Sequence, residues 1–110
     1  MTQSDNEWQI RAEMALAVAM QNRTLITYAE LADAASIPAP HRINKLSVWL
    51  EATMDSDHAQ SMPIRAAWVI SRARGGLPAP GFFIKCKALG LYDGATEGAA
   101  ATAFHLGLLG

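Results

Sequence analysis

The residues best suited to contacting a ligand lie along one predicted helix. Apolar side chains at Ile43, Leu46, Leu50 and Met54 follow spacings of three, four and four, which predicts a helix over residues 40–56 with one buried stripe. At 100° per residue, the opposite face presents His41, Asn44, Lys45, Val48, Glu51, Ala52 and Asp55. The first half of this face has the chemistry to read DNA base edges, because Asn suits adenine, His or Lys suits guanine, and Val suits the thymine methyl group.

Recognition helices contact bases mainly through their N-terminal residues, which matches this placement. We therefore take the candidate DNA-binding residues of the helix to be His41, Arg42, Asn44, Lys45 and Val48. A solvated helix face explains the same pattern equally well, because the formal net charge of the chain is -1. Both interpretations stay open on the sequence alone.

A second basic group lies beside two glycines. The run Ser71 to Gly76 contains Arg72 and Arg74, and its glycines allow the positive φ angles of a hairpin turn. These arginines are candidates for holding phosphates or entering a minor groove. If about four phosphates were neutralised in total, log affinity would fall with log salt at a slope of about -3.6. The alternative is that a hairpin tip needs polar residues for solubility.

Catalytic and metal sites have little support. Asp55, Asp57 and His58 form one short cluster, but the sequence has no recognised zinc or iron spacing. Cys86 lies between two lysines, which favours a reactive thiolate, whereas a lone cysteine on an apolar stripe is more often a core residue. We predict a non-catalytic protein without a metal or a cofactor.

Composition excludes several classes of protein. Of 110 residues, 17% are charged, with nine Lys and Arg against ten Asp and Glu, which fits neither a disordered acidic chain nor a basic protein that wraps nucleic acid. Residues 1–61 carry four basic and eight acidic side chains, and residues 62–110 carry five basic and two acidic ones. Attraction for a polyanion must therefore come mainly from the second half.

The chain length supports one small domain. Its longest apolar stretches fall short of the roughly 20 residues that a bilayer requires, so no membrane partner is expected. A single cysteine cannot form an intrachain disulfide, and the cytoplasm is the expected location.

The order of the predicted elements indicates the fold class. In its first half the sequence predicts a helix over 5–22, a minor strand over 24–26, a helix over 27–35 that begins with a capping box, and the helix over 40–56. In its second half it predicts a strand over 64–70, a hairpin turn over 71–76 with a short return strand, a helix over 82–89, and a helical tail. We therefore expect an α+β fold, a winged helix-turn-helix with a small β-hairpin wing and extra terminal helices. The winged-helix domain is expected over 1–94, and residues 95–110 form an apolar C-terminal tail, expected to be a docked helix.

Two motifs resemble those of small, largely uncharacterised bacterial winged-helix-like proteins. The N-terminal motif is Ile26-Thr27-Tyr28-Ala29-Glu30-Leu31-Ala32, and the C-terminal motif is Gly76-Leu77-Pro78-Ala79-Pro80-Gly81-Phe82-Phe83. The resemblance covers Leu25 to Phe83, about half of the chain. It implies the winged-helix fold and no particular reaction.

A weaker similarity is to the DNA-binding half of the alkylguanine-DNA alkyltransferases, whose helix-turn-helix opens with a Thr-Tyr-x-Glu-Leu-Ala type segment. Their signature is Pro-Cys-His-Arg, in which the cysteine thiolate takes the alkyl group. Here Pro40-His41-Arg42 lacks the cysteine and comes at a different place in the order of elements. Alkyl transfer by that mechanism is therefore not expected.

Two functions follow as hypotheses. The first is non-catalytic binding of double-stranded DNA, or regulation through it, and the alternative is a homodimeric protein-interaction module without nucleic-acid binding. The predicted first helix is apolar nearly all round from Met14 to Met20, so it must be covered on more than one side. Together with the apolar tail, it predicts a homodimer.

Overall fold

The computed structural model describes the backbone of residues 3–110 and the side chains from Glu7 onward. In this range the α-helices are α1 (Gln3–Gln21), α2 (Tyr28–Ala35), α3 (Arg42–Ala59), α4 (Pro80–Ala88) and α5 (Ala99–Leu108). The strands are β1 (Ile26–Thr27) and β2 (Val69–Ile70), and short 3₁₀-helices span Arg65–Trp68 and Arg72–Arg74.

The protein is mostly helical, with one small parallel sheet that makes it an α+β arrangement. In that sheet Ile26 is opposite Val69 and Thr27 is opposite Ile70. Parallel strands need a long crossover connection, which α2, α3 and the first 3₁₀-helix supply here. Of the helices within residues 3–110, none has the length and apolar character to cross a membrane.

The predicted strand over 64–70 is wrong for most of its length. Arg65–Trp68 forms a 3₁₀-helix, and only Val69–Ile70 is extended. The buried carboxylate of Asp57 accepts a hydrogen bond from the backbone N–H of Arg65 at 3.0 Å and pairs with its guanidinium, which fixes the backbone where the strand would begin. Ala66 and Ala67 are both buried, so neither side of this segment is the solvated face of a strand.

The predicted β-hairpin wing is also corrected. The backbone N–H of Ser71 donates to the carbonyl of Leu77 at 2.9 Å, and this single antiparallel bridge closes a loop that contains the second 3₁₀-helix. Gly75 and Gly76 have positive φ angles, as the glycine pair predicted. A longer return strand cannot form because Pro78 lacks a ladder donor. We call residues 71–77 the closed loop.

Helices α2 and α3 begin in different ways. Thr27 caps α2, and Glu30 returns the hydrogen bond to the backbone N–H of Thr27, so the predicted capping box is confirmed. Helix α3 begins at Arg42 and not at Pro40, because His41 has a left-handed backbone with φ of 61°. Its predicted apolar stripe is confirmed for three members but wrong for Ile43, which is 46% exposed.

The core lies where one side of α1 meets α2, α3 and the segment before β2. Its buried members include Trp8, Leu16, Leu31, Leu46, Met54 and Val69. Trp8 and Trp49 meet edge to face, with ring centroids 6.2 Å apart.

The C-terminal helix α5 packs on this core. Ala101 and His105 are buried in it, and the imidazole Nε2 of His105 lies 2.7 Å from the carbonyl oxygen of Ala67. Arg23 reaches the carbonyl of Leu109 at 2.8 Å near the end of the helix. The residues of the C-terminal tail are therefore partly buried by contacts within their own chain.

Cys86 lies on the inner side of α4 and is fully buried. Burial raises the pKa of its thiol to about 11, because desolvation disfavours the thiolate. The flanking lysines do not offset this, and Lys85 pairs with Asp55 at 2.9 Å. Cys86 is therefore a core residue, and the interpretation as a reactive thiol is wrong.

Candidate nucleic-acid interface

The outer surface of α3 is open over its N-terminal half. Asn44 and Val48 are exposed, Val48 to 62%, and His41 is exposed where the helix begins. Ile43 adds a further apolar side chain to this surface. The structure thus brings together three of the sequence-predicted residues on one accessible face. We call His41, Asn44 and Val48 the α3 face.

Arg42 is not part of the α3 face. Its guanidinium donates to the carbonyls of Ile37 and Ala32, at 2.7 and 3.0 Å, and to a carboxylate oxygen of Asp33 at 3.1 Å. The last carbonyls of a helix lack intrahelical donors, and positive charge is favourable at that end. Arg42 therefore ties the C-terminal end of α2 to the start of α3.

Two more cations stabilise the turn between α2 and α3. Lys45 donates to the carbonyl of Pro38 at 2.8 Å, and Arg11 of α1 donates to that of Ala35 at 2.6 Å. The turn contains Pro38 and Pro40, which have no N–H group, so backbone donors are scarce there. Cationic side chains supply the missing hydrogen bonds.

This arrangement predicts the effect of Arg42→Ala. The substitution removes the donor to the carbonyl of Ile37 and two further contacts with α2, and since the side chain is 36% exposed we expect the free energy of unfolding to fall by about 1 to 2 kcal/mol. Urea denaturation measures this change. Arg42→Lys should restore only part of the lost stability, because a lysine ammonium lacks the planar set of donors of a guanidinium. Unchanged stability in Arg42→Ala would contradict the structural role.

The two arginines of the closed loop differ in their availability. Arg74 is held inside the chain, since it donates to the carbonyl of Pro78 at 2.9 Å and to the carbonyl of Thr96. Arg72 projects from the loop with its side chain 79% exposed, and its Nη2 lies 3.0 Å from a carboxylate oxygen of Glu30. An exposed pair of this kind contributes little to stability, so Arg72 can exchange partners.

A groove of about 550 Å³ connects the α3 side of the molecule to the closed loop. Tyr28 and Glu30 of α2, Ile43 and Ser47 of α3, and Arg72 of the loop contribute to its walls. Tyr28 closes one side, because its hydroxyl accepts a hydrogen bond from the backbone N–H of Ala79 at 2.9 Å. Burial raises the pKa of this phenol, so it stays neutral.

Charges around the groove are largely compensated. Glu30 pairs with Arg72, Asp33 pairs with Arg42, and the backbone N–H and hydroxyl of Thr27 lower the pKa of Glu30. Among the side chains that the structure describes, eight of the nine from Lys and Arg contact an oxygen; these are Arg11, Arg23, Arg42, Lys45, Arg65, Arg72, Arg74 and Lys85. Five of these eight also lie within 4.0 Å of a carboxylate oxygen, which weakens their attraction for a polyanion; these are Arg42, Arg65, Arg72, Arg74 and Lys85.

Sequence reasoning missed the groove and the cation-stabilised turn. The signal for the turn was the pair of prolines with Arg and Lys directly after it, since prolines leave carbonyls without local donors. The Asp55, Asp57 and His58 cluster is dispersed, because Asp57 is buried against Arg65 while the other two are exposed. Among the residues that the structure describes, no three His, Cys, Asp or Glu side chains are grouped to hold a metal ion.

Comparison with known proteins adds no relative. No family model matches the chain, and no curated protein or solved structure is significantly similar to it.

Proposed function

We propose that this protein is a non-catalytic, winged helix-turn-helix type module that binds duplex DNA through the α3 face. The observation that carries the proposal is the exposure of Asn44 and Val48, one helical turn apart. Their sequence neighbours Ile43 and Ser47 line a groove that Arg72 also lines. The amide of an asparagine can form two hydrogen bonds with N6 and N7 of adenine in the major groove, and an apolar side chain can pack against the methyl group of thymine. His41 at the helix start adds a further group for a base edge or a phosphate.

The order of elements supports the winged-helix part of the proposal. A short strand precedes α2, a turn joins α2 to α3, and β2 leads into the closed loop beside the groove. In this interpretation α3 is the recognition helix and the closed loop is a reduced wing.

The cation contacts lower the expected salt dependence. The carbonyl contacts of Arg42 and Arg74 are partly buried, whereas those of Arg72 with Glu30 and of Lys45 with the carbonyl of Pro38 are exposed. Arg72 and Lys45 can therefore exchange their contacts for a phosphate more readily. Neutralising about two phosphates gives a slope of about -1.8 for log affinity against log salt, half of that for about four. With few phosphate contacts, the affinity would depend more on base contacts and on the shape of the DNA.

The experiment is a fluorescence anisotropy titration with a duplex selected from a random pool, repeated at several salt concentrations. Arg72→Ala should weaken binding to every duplex and reduce the salt slope by about 1, because one phosphate contact is lost. Asn44→Ala should weaken binding to the selected duplex by about 1 to 3 kcal/mol and relax the preference at one base pair.

Two matched controls sharpen this titration. Lys87→Ala removes the same charge from an exposed position on α4, outside the linings of the groove, and should leave the slope unchanged. Glu30→Gln should strengthen binding, since it removes the carboxylate that competes for Arg72. Failure of the wild-type protein to bind any selected duplex would overturn the proposal.

The second candidate is a protein-interaction module that does not bind nucleic acid. The oxygen contacts of eight of the nine Lys and Arg side chains favour it, as does the exposure of two apolar side chains, Ile43 and Val48, on α3. The same titration separates the two candidates, because this one requires that no duplex binds at any salt concentration.

A further inference from the structure

A small cavity lies between α3 and the start of α4, with a volume of about 100 Å³. Its apolar lining includes three buried core residues, Leu50, Met54 and Phe82. Its polar lining consists of three side chains that end in oxygen atoms, Tyr28, Ser47 and Glu51. An apolar pocket with a few convergent polar groups is the usual form of a small-molecule site.

Glu51 supplies a negative charge to this cavity. The chain has ten Asp and Glu residues, and the structure describes the side chains of all but Asp5. Six of these nine carboxylates lie within 4.0 Å of a cationic side chain, and Glu51 is not one of the six. The other two, Glu7 and Asp93, are exposed to water, whereas Glu51 is half-buried. Within the described part of the chain, Glu51 is therefore the covered carboxylate that lacks a cation.

Helix α4 begins against Glu51. Helical periodicity placed this residue on the outer face of α3, but a Cβ atom added at Gly81 would lie 3.1 Å from its Oε2 atom. The N-terminal end of a helix attracts negative charge, which explains how the carboxylate is held there without a cation. Helix α4 has no side-chain cap, so the oxygens of Glu51 are not used by its backbone N–H groups. They stay able to accept hydrogen bonds from a ligand.

Tyr28 lies close enough to Glu51 to sense its charge. Burial raises the pKa of the Tyr28 phenol most strongly, and the negative charge of Glu51 raises it further. The Tyr28 hydroxyl accepts one hydrogen bond, from the backbone N–H of Ala79, so a lone pair remains for a second donor.

Charge and volume define the class of ligand. A primary ammonium carries a positive charge and three N–H donors, which match the acceptor oxygens of Tyr28, Ser47 and Glu51. Placing a cation in an apolar site is unfavourable unless an opposite charge is present, and Glu51 supplies it. An apolar cavity of about 150 Å³ holds a benzene molecule, so this smaller one suits a chain of about four carbon atoms.

We propose that this cavity is a binding site for a small primary amine, with the ammonium group against Glu51 and the short apolar chain against Leu50, Met54 and Phe82. The proposal rests on neither candidate function, because no residue of the α3 face lines the cavity. A ligand of so few atoms binds weakly, and we expect a dissociation constant of about 1 mM.

Three probes of similar size separate recognition of charge from burial of an apolar chain: butylammonium, butanol and butyrate. Each is added to ¹⁵N-labelled protein up to about 50 mM at constant ionic strength while amide chemical shifts are recorded. Butylammonium should shift the amides of Ser47, Glu51 and Gly81 and saturate, butanol should bind about 10-fold more weakly, and butyrate should not bind. Equal affinities for butylammonium and butanol, or no saturating shift with butylammonium, would refute the site.

Glu51→Gln tests the proposed contact directly, because it removes the charge and keeps the size of the side chain. The dissociation constant of butylammonium should rise about 10-fold, while that of butanol stays the same. Glu7→Gln removes the same charge from an exposed position on α1 and should change neither. Unchanged affinity of Glu51→Gln for butylammonium would contradict the contact. The comparison of the three probes on the wild-type protein remains decisive if Glu51→Gln fails to fold, which thermal denaturation shows.

Discussion

Replacing Phe83 by alanine is expected to lower the free energy of unfolding by about 3 to 5 kcal/mol. Phe83 is 1% exposed and lies where α4, the segment after it and α5 meet. Its ring centroid is 5.2 Å from that of Phe82, 5.7 Å from Tyr92 and 6.4 Å from Phe104. Removing the ring leaves a cavity among these neighbours, and Phe104 of α5 loses one of its aromatic contacts.

Ile84→Ala is the matched control for this substitution. Ile84 is the next residue on the same helix and is 62% exposed, so its truncation should change stability by no more than about 0.5 kcal/mol. Urea denaturation followed by tryptophan fluorescence measures both variants. Equal and small effects would show that α4 and α5 do not share the packed aromatic cluster.

The second large effect is expected for Arg65→Ala, which should lower the free energy of unfolding by about 2 to 3 kcal/mol. Asp57 is 4% exposed, and its two carboxylate oxygens receive the guanidinium of Arg65 at 2.9 Å and the backbone N–H of Arg65 at 3.0 Å. Removing the guanidinium leaves a buried carboxylate without its counter-charge. The estimate is at the low end for buried pairs because the Arg65 side chain is 29% exposed.

Arg72→Ala provides the comparison for Arg65→Ala. It removes the same side chain from the exposed pair with Glu30, so its unfolding free energy should change by less than about 1 kcal/mol. The double variant Asp57→Ala/Arg65→Ala should recover part of the loss, because the unpaired charge is gone. A double variant that is less stable by the full sum of the two single effects would mean that the pair does not interact.

Local signals made several helices predictable. The capping box of Thr27 and Glu30 depends on residues three apart, so it is readable in the sequence and marks the start of α2. The lysines and Gly90 at the end of α4 act in the same way. The strand over 64–70 failed because its conformation depends on the contact of Arg65 with Asp57, eight residues earlier on another helix.

The candidate site was predictable in its exposed face but not in its charges. Helical periodicity alone placed Asn44 and Val48 on the outer side of α3. It could not show that Arg42 and Arg74 are used by carbonyls, because those contacts depend on the path of the proline turn and of the chain around Thr96. The same helical spacing predicted that Ile43 is buried, but Ile43 is exposed. The prediction failed because helical spacing does not show how far α2 covers the start of α3.

The most direct test of DNA binding through the α3 face is an amide chemical-shift map recorded while the selected duplex is added to ¹⁵N-labelled protein. We expect perturbations concentrated at His41, Asn44, Val48 and Arg72, with little change at Lys87. No perturbation at any duplex concentration, or perturbations centred on Met14 with the α3 face unchanged, would contradict it.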